Sequence, residues 1–111
     1  MATLAVQQIV DSGLEPSYSA AEAGGDDFVN DGSERQFIHV KDAGDGCVVT
    51  VTPSTASTTK PGFGTVTRAN IAVTIGAGED RMIGPFPLTA FGDPAITYDS
   101  ETSVSLAVVR M

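Results

Sequence analysis

His39 and Cys47 are the chain's single histidine and single cysteine, and they stand eight residues apart in its 111. A thiol–imidazole nucleophile pair would need both side chains on one face of neighbouring strands, an acid to orient the imidazole and donors for an oxyanion. Residues 36–41 read as a strand, with Phe37 and His39 on one face and Ile38 and Val40 on the other. Residues 47–52 read as its hairpin partner, which makes Phe37, His39, Cys47 and Val49 face neighbours. Ordinary packing of two strands gives the same arrangement. Cys47 is therefore read as a small core residue and His39 as a strand residue at the edge of water. One histidine and one cysteine do not make a zinc set. No catalytic residue, cofactor or metal is expected.

The densest acidic cluster is Asp26, Asp27, Asn30, Asp31 and Glu34. Oxygen ligands at such spacing suit Ca²⁺, but the match to an EF-hand loop fails. Asp27 and Asp31-Gly32 fit, whereas Val29 takes a ligand position and Ile38 stands where the bidentate glutamate belongs. The expected state is a solvated, turn-forming loop, and Asp42 and Asp45 are read the same way. Gly76-x-Gly78 is too short for a phosphate loop and lies between strands. In Glu79-Asp80-Arg81, acid and base start a strand together; Arg81 can grip a carboxylate on a neighbouring strand or subunit, or form a surface ion pair worth about 0–1 kcal/mol.

The elements that position these residues follow from composition and period. Hydrophobic residues make up 41% of the chain, enough for one domain with a real core, residues 1–111. Aromatics are only 6% and tryptophan is absent, so burial shared with a second subunit would add stability. Six Lys+Arg against fourteen Asp+Glu give a net charge of −8, which repels phosphate backbones and anionic lipid surfaces. Neither nucleic acid nor membrane is an expected partner. A lone cysteine implies no intramolecular disulfide, and no basic region followed by an apolar stretch opens the chain, so synthesis in the cytoplasm is expected.

Along the chain, 4–10 reads as a first strand with Leu4, Val6 and Val10 inward, and 11–34 as a long surface excursion anchored by Phe28, with a short helical turn possible at 20–23. Residues 53–64 read as a loop with Phe63 as a candidate anchor, and 65–67 as a lead-in to the next strand. Residues 70–91 form the organising stretch: Ile71, Val73 and Ile75 alternate, Gly76-Ala-Gly78 reverses the chain, and 81–84 returns as a hairpin ended by Pro85-Phe86-Pro87. One helical turn is expected at 88–91, then strands at 95–99 and 103–109, the latter with Val104, Leu106 and Val108 inward and Ser103, Ser105 and Ala107 outward. About seven short strands joined by Gly/Pro/Asp turns predict an all-β, antiparallel β-sandwich with long loops, Ig-like or jelly-roll-like.

A set of motifs resembles a group of small virion proteins of tailed bacteriophages. They are Phe28-Val-Asn30-Asp31-Gly32, Phe37-Ile-His-Val-Lys41, Gly78-Glu-Asp-Arg-Met-Ile-Gly-Pro-Phe-Pro87, Phe91-Gly-Asp93, Ile96-Thr-Tyr98 and Thr102-Ser-Val104. The most specific is Glu79 to Pro87. The resemblance is to capsid decoration (cement) proteins, and it supplies no catalytic residues. It implies a non-enzymatic structural role, and the expectation built on it and on the acidic body is a protein of the capsid exterior that bridges major capsid protein subunits and associates with further copies of the chain as a trimer. Arg81, Met82, Phe86 and Phe91 are the residues expected at a protein interface. A tail or head–tail joining component is the rival from the same setting; a small carbohydrate- or cell-surface-binding module is the rival from another class, although the chain offers no tryptophan for an aromatic platform.

Overall fold

A computed structural model describes residues 2–54, 57–67, 69–86 and 91–111. Their strands are β1 (Ala2–Leu4), β2 (Val6–Gln8), β3 (Ser19–Ala20), β4 (Asp26–Phe28), β5 (Gln36–Asp42), β6 (Cys47–Thr52), β7 (Ser57–Lys60), β8 (Gly64–Thr67), β9 (Ile71–Ile75), β10 (Asp80–Ile83), β11 (Ala95–Tyr98) and β12 (Val104–Arg110). One sheet has the order β1-β4-β11-β6-β9; the other runs β10-β5-β12-β2, with β3 also on β12; β7 and β8 pair with each other. No helix occurs among the described residues. The all-β sandwich anticipated from the alternation is the fold.

Period two explains the core. Ile38 and Val40 of β5, Val104, Leu106 and Val108 of β12 and Ile83 of β10 turn inward from the second sheet. Cys47, Val49 and Val51 of β6, Ile75 of β9, Ile96 of β11 and Phe28 of β4 meet them from the first. Fully burying each Leu, Ile, Val or Phe is worth about 1.5–3 kcal/mol.

Several local expectations give way to tertiary structure. The sheets are mixed rather than purely antiparallel, because β1 runs parallel to β4 and β2 parallel to β12. The predicted first strand, 4–10, is split: β1 joins one sheet, the chain crosses at Ala5, and β2 joins the other. Val10, expected inward, is 47% exposed. Neither predicted hairpin forms. β5 pairs with β10 and β12, whereas β6 pairs with β9 and β11. β9 and β10 likewise lie in different sheets. Both reversals carry the chain across the sandwich, so the apolar faces on either side of each turn close against one another instead of lying side by side. The reversals sit together: Asp42 N–H donates to Glu79 O at 3.0 Å, and a Cβ on Gly46 (φ +95°) would stand 2.9 Å from Ile75 O.

The 11–34 segment contributes β3 and β4, the latter between β1 and β11, and residues 20–23 are not helical. Phe28 does anchor it, at 1% exposure. Residues 57–67, read as loop and lead-in, form a two-stranded arm whose register runs from Ser57↔Thr67 to Lys60↔Gly64. The helical turn predicted at 88–91 falls, apart from Phe91, outside the described residues.

Phe28, Phe86 and Phe91 stack as a tilted series, with 5.6 Å between centroids of successive rings. Buried Asn30 holds this cluster. Its Nδ2 donates to Phe86 O (2.8 Å) and Phe91 O (2.7 Å), and its Oδ1 accepts from Gly32 N–H (2.9 Å). Buried Gln36 adds a second amide, donating to Val29 O (3.0 Å) and accepting from Asp31 N–H (2.9 Å). Removing a partner from a buried polar group costs about 1–3 kcal/mol. Asn30→Ala strands two buried carbonyls and should lower unfolding free energy by at least about 2 kcal/mol in urea titrations. Asn30→Asp, which replaces the donors with acceptors, should be no less damaging.

Candidate functional site

The strand register separates the two residues singled out by their chemistry. Cys47 is turned into the core with Val49 and Val51, whereas His39 lies on the outer side of β5 with Phe37 and Lys41. The thiol and the imidazole are therefore not face neighbours, and no nucleophile pair forms. Burial, and then a hydrogen bond with Asp42, push the Cys47 thiol up to about 11.

His39 has different companions. Tyr18 Oη lies 2.7 Å from its Nδ1, and Asp80 Oδ2 lies 2.8 Å from its Nε2. With neutral imidazole, Nε2–H donates to the carboxylate and Nδ1 accepts the phenol proton, satisfying all three groups. The hydrogen bond from His39 is the main cause holding Asp80 below the usual carboxylate range. Lys41 completes the group, its Nζ 4.2 Å from the Tyr18 ring centroid. Tyr18 belongs to the polar stretch before β3, and no sequence pattern linked it to His39.

This line clamps residues 9–20 across the outside of the second sheet. Gln7 and Ser17 exchange two hydrogen bonds, both 2.8 Å, and Ala21 N–H donates to Val104 O at 2.9 Å. The strap explains why Ala107 and Val109, on the outward face of β12, are nevertheless only 2% and 4% exposed.

Beside the strap an apolar surface stays open. Antiparallel register sets Met82 opposite His39 and Ile83 opposite Ile38, so Met82 stands outward beside Phe37. Met111 N–H donates to Arg35 O at 3.0 Å, bringing the C-terminal methionine alongside. Phe37, Met82, Pro85 and Met111 line a hollow of about 360 Å³, with Glu34 and Arg35 at its polar side. A neighbouring hollow of about 220 Å³, reaching Ile9, Leu14 and His39, shares Phe37 and Met82. Met82 is 68% exposed and Met111 63%. Flexible, polarizable methionines on an open apolar surface suit contact with another macromolecule. Gly84 shapes the rim: its φ is +151°, and a Cβ there would lie 2.9 Å from both Gln36 O and Phe37 Cβ.

Of the four residues expected at an interface, Arg81 and Met82 are on the surface. Phe86 and Phe91 are not; at 1% and 5% exposure they are core, packed with Phe28 as the aromatic cluster. The acidic residues also depart from expectation. Asp26 is fully buried, accepting from Tyr98 Oη at 2.7 Å, and burial followed by this bond raises the phenol's pKa. Asn30 is buried on the carbonyls of Phe86 and Phe91, and Asp42 is buried at the reversal with its Oδ1 accepting from Gly44 N–H (2.7 Å). Asp31 receives Arg110 Nη1 at 2.6 Å. Hydrogen bonds from Ser33 and Arg110 bring its pKa down to about 2. Among the described residues no three His, Cys, Asp or Glu side chains cluster closely enough to hold a metal ion.

Comparison of the chain with models of protein families, with curated proteins and with solved structures returned no match.

Two solution measurements check this geometry. At pH 8 a thiol titrating near 11 is ionised in roughly one molecule in a thousand, so native Cys47 should react with a disulfide reagent only after unfolding; rapid labelling of native protein would contradict its placement. Asp31 and Asp80 titrate lower in the folded than in the unfolded chain. The stabilisation from Asp31 is therefore present above pH 4 and lost as pH falls through about 2, and that from Asp80 is likewise lost on acidification. Asp31→Asn should flatten that acid limb of the stability profile.

Proposed function

We propose that the chain is a non-enzymatic structural protein of a tailed-bacteriophage virion, which decorates the capsid exterior and stabilises it by bridging major capsid protein subunits. The observation that carries a protein-binding role is the open apolar surface around Phe37, Met82 and Met111 on a strongly acidic body. Contact surfaces between proteins need desolvated apolar anchors inside a polar rim, and here Glu34 and Arg35 supply the rim. The phage setting rests on the resemblance of Glu79 to Pro87 and the accompanying motifs. In the structure that stretch runs through β10, an edge strand whose Met82 belongs to the surface.

A net charge of −8 favours the outer shell face over a DNA-filled interior. A carbohydrate-binding reading finds less support, because both tyrosines are engaged, Tyr18 by His39 and Lys41 and Tyr98 by Asp26. The proposed assembly is a homotrimer over local three-fold positions of the shell.

Cryo-electron microscopy of the virion that encodes the chain should show density fitting this sandwich on the head. Density on the tail alone would move the assignment to a tail or head–tail component. A particle without the chain would remove the virion role.

A further inference from the structure

The arm formed by β7 and β8 has no part in either main sheet. Its tip is a tight turn: Phe63 N–H donates to Lys60 O at 3.0 Å, with Pro61 and Gly62 between them and Gly62 at φ +82°. Proline followed by a positive-φ glycine is the type II pattern. That turn presents Phe63 at 85% exposure, the most exposed of the chain's large hydrophobic side chains among the described residues. A two-stranded hairpin with no third strand is marginal in water, and an exposed phenylalanine at its end adds further cost. Both features ask for a cover.

Charge points to the cover. Residues 57–67 contain Lys60 and no acid, a net +1; the other residues contain five Lys+Arg and fourteen Asp+Glu, a net −9. The chain thus has a cationic arm and an acidic body. The body carries an apolar hollow of about 360 Å³, walled by Phe37, Met82, Pro85 and Met111 and flanked by exposed Glu34 and Arg35. In this chain Phe63 is solvent-exposed, so it does not fill that hollow itself.

We propose that the arm docks on a second copy of the chain, Phe63 entering the neighbour's Phe37/Met82/Met111 hollow and Lys60 facing the neighbour's acidic surface. The contact is of the head-to-tail kind: each copy offers one knob and one hole, and repetition around an axis closes a ring. It deepens the homo-oligomer part of the proposed function and names the surfaces that build it. Virion imaging and the solution experiment below can fail separately. Chains seated on shells as isolated monomers would end the arm contact alone, whereas arm-linked oligomers absent from virions would end the decoration role alone.

The test combines light scattering with cross-linking of the purified full chain. Wild-type protein should have a multiple of the 11.4 kDa monomer mass. Phe63→Asp and Met82→Asp, both at exposed positions that leave the core intact, should each reduce it to one chain. Phe63→Cys mixed with Met82→Cys should form an intermolecular disulfide under mild oxidation faster than either variant alone; Cys47 is buried and should not compete. A monomeric wild type, an unchanged mass for Phe63→Asp, or cross-linking in the mixture no faster than in Phe63→Cys alone would each overturn the proposal. The first result, combined with protection of Phe63 only on shells, would assign the arm to capsid protein instead.

Discussion

One side-chain amide, that of Asn30, ties together segments of this fold that lie 56 and 61 residues apart in sequence. Its two donors reach the carbonyls of Phe86 and Phe91, both within the stretch between β10 and β11, and its acceptor takes Gly32 N–H. Asparagine suits this position because it combines donors with an acceptor, and a buried backbone carbonyl left unpaired is expensive. With those carbonyls tied down, Phe86 and Phe91 close over Phe28 and the loop after β4 is drawn against the sandwich. Phe28, Asn30, Phe86 and Phe91 are all buried. They are structural residues rather than contact residues.

That internal tie has a consequence at the surface. With Phe86 drawn inward, the preceding Gly84-Pro85 forms the rim of the hollow beside Phe37 and Met82. Gly84 is there because the backbone passes so near Gln36 and Phe37 that a Cβ would collide. On the other flank, the His39 line to Tyr18 and Asp80 fixes the strap that covers Ala107 and Val109 and leaves Met82 bare. A polar clamp thus sets which part of the sheet's outer face is sealed and which part stays available. Arg81, on the edge strand β10 and in register with Val40, is set on the inward-pointing side, where a charge discourages edge-to-edge pairing. The surface is steered toward side-chain contact rather than sheet extension.

Charge divides the molecule in the same way. The acidic residues are concentrated in the body, some of them buried with specific partners, as Asp26 is with Tyr98. The arm carries no acid. Like-charged bodies repel at long range and discourage indiscriminate association, while an oppositely charged arm with an apolar tip brings an attraction directed to one place.

How far the sequence determined this protein depends on whether each feature is local. The period of two in Val104–Val108 determined which side of β12 faces the core, and the same holds for β6 and Ile96 in β11, since alternation is a property of the strand itself. In β5, with apolar residues on both faces, alternation alone did not choose Ile38 and Val40 over Phe37 and His39. The all-β class and the glycine-rich reversals were legible because they too are local. Which sheet a strand joins is not a local property. Turns 43–46 and 76–79 have hairpin composition but cross the sandwich, and that crossing separates Cys47 from His39 and gives His39 to Tyr18 and Asp80. The exposure of Phe63 and the burial of Phe86 and Phe91 were equally undecidable from residue type, because a phenylalanine is anchor or knob according to what packs beside it. Only tertiary structure supplies those neighbours, through pairings between residues far apart in the chain.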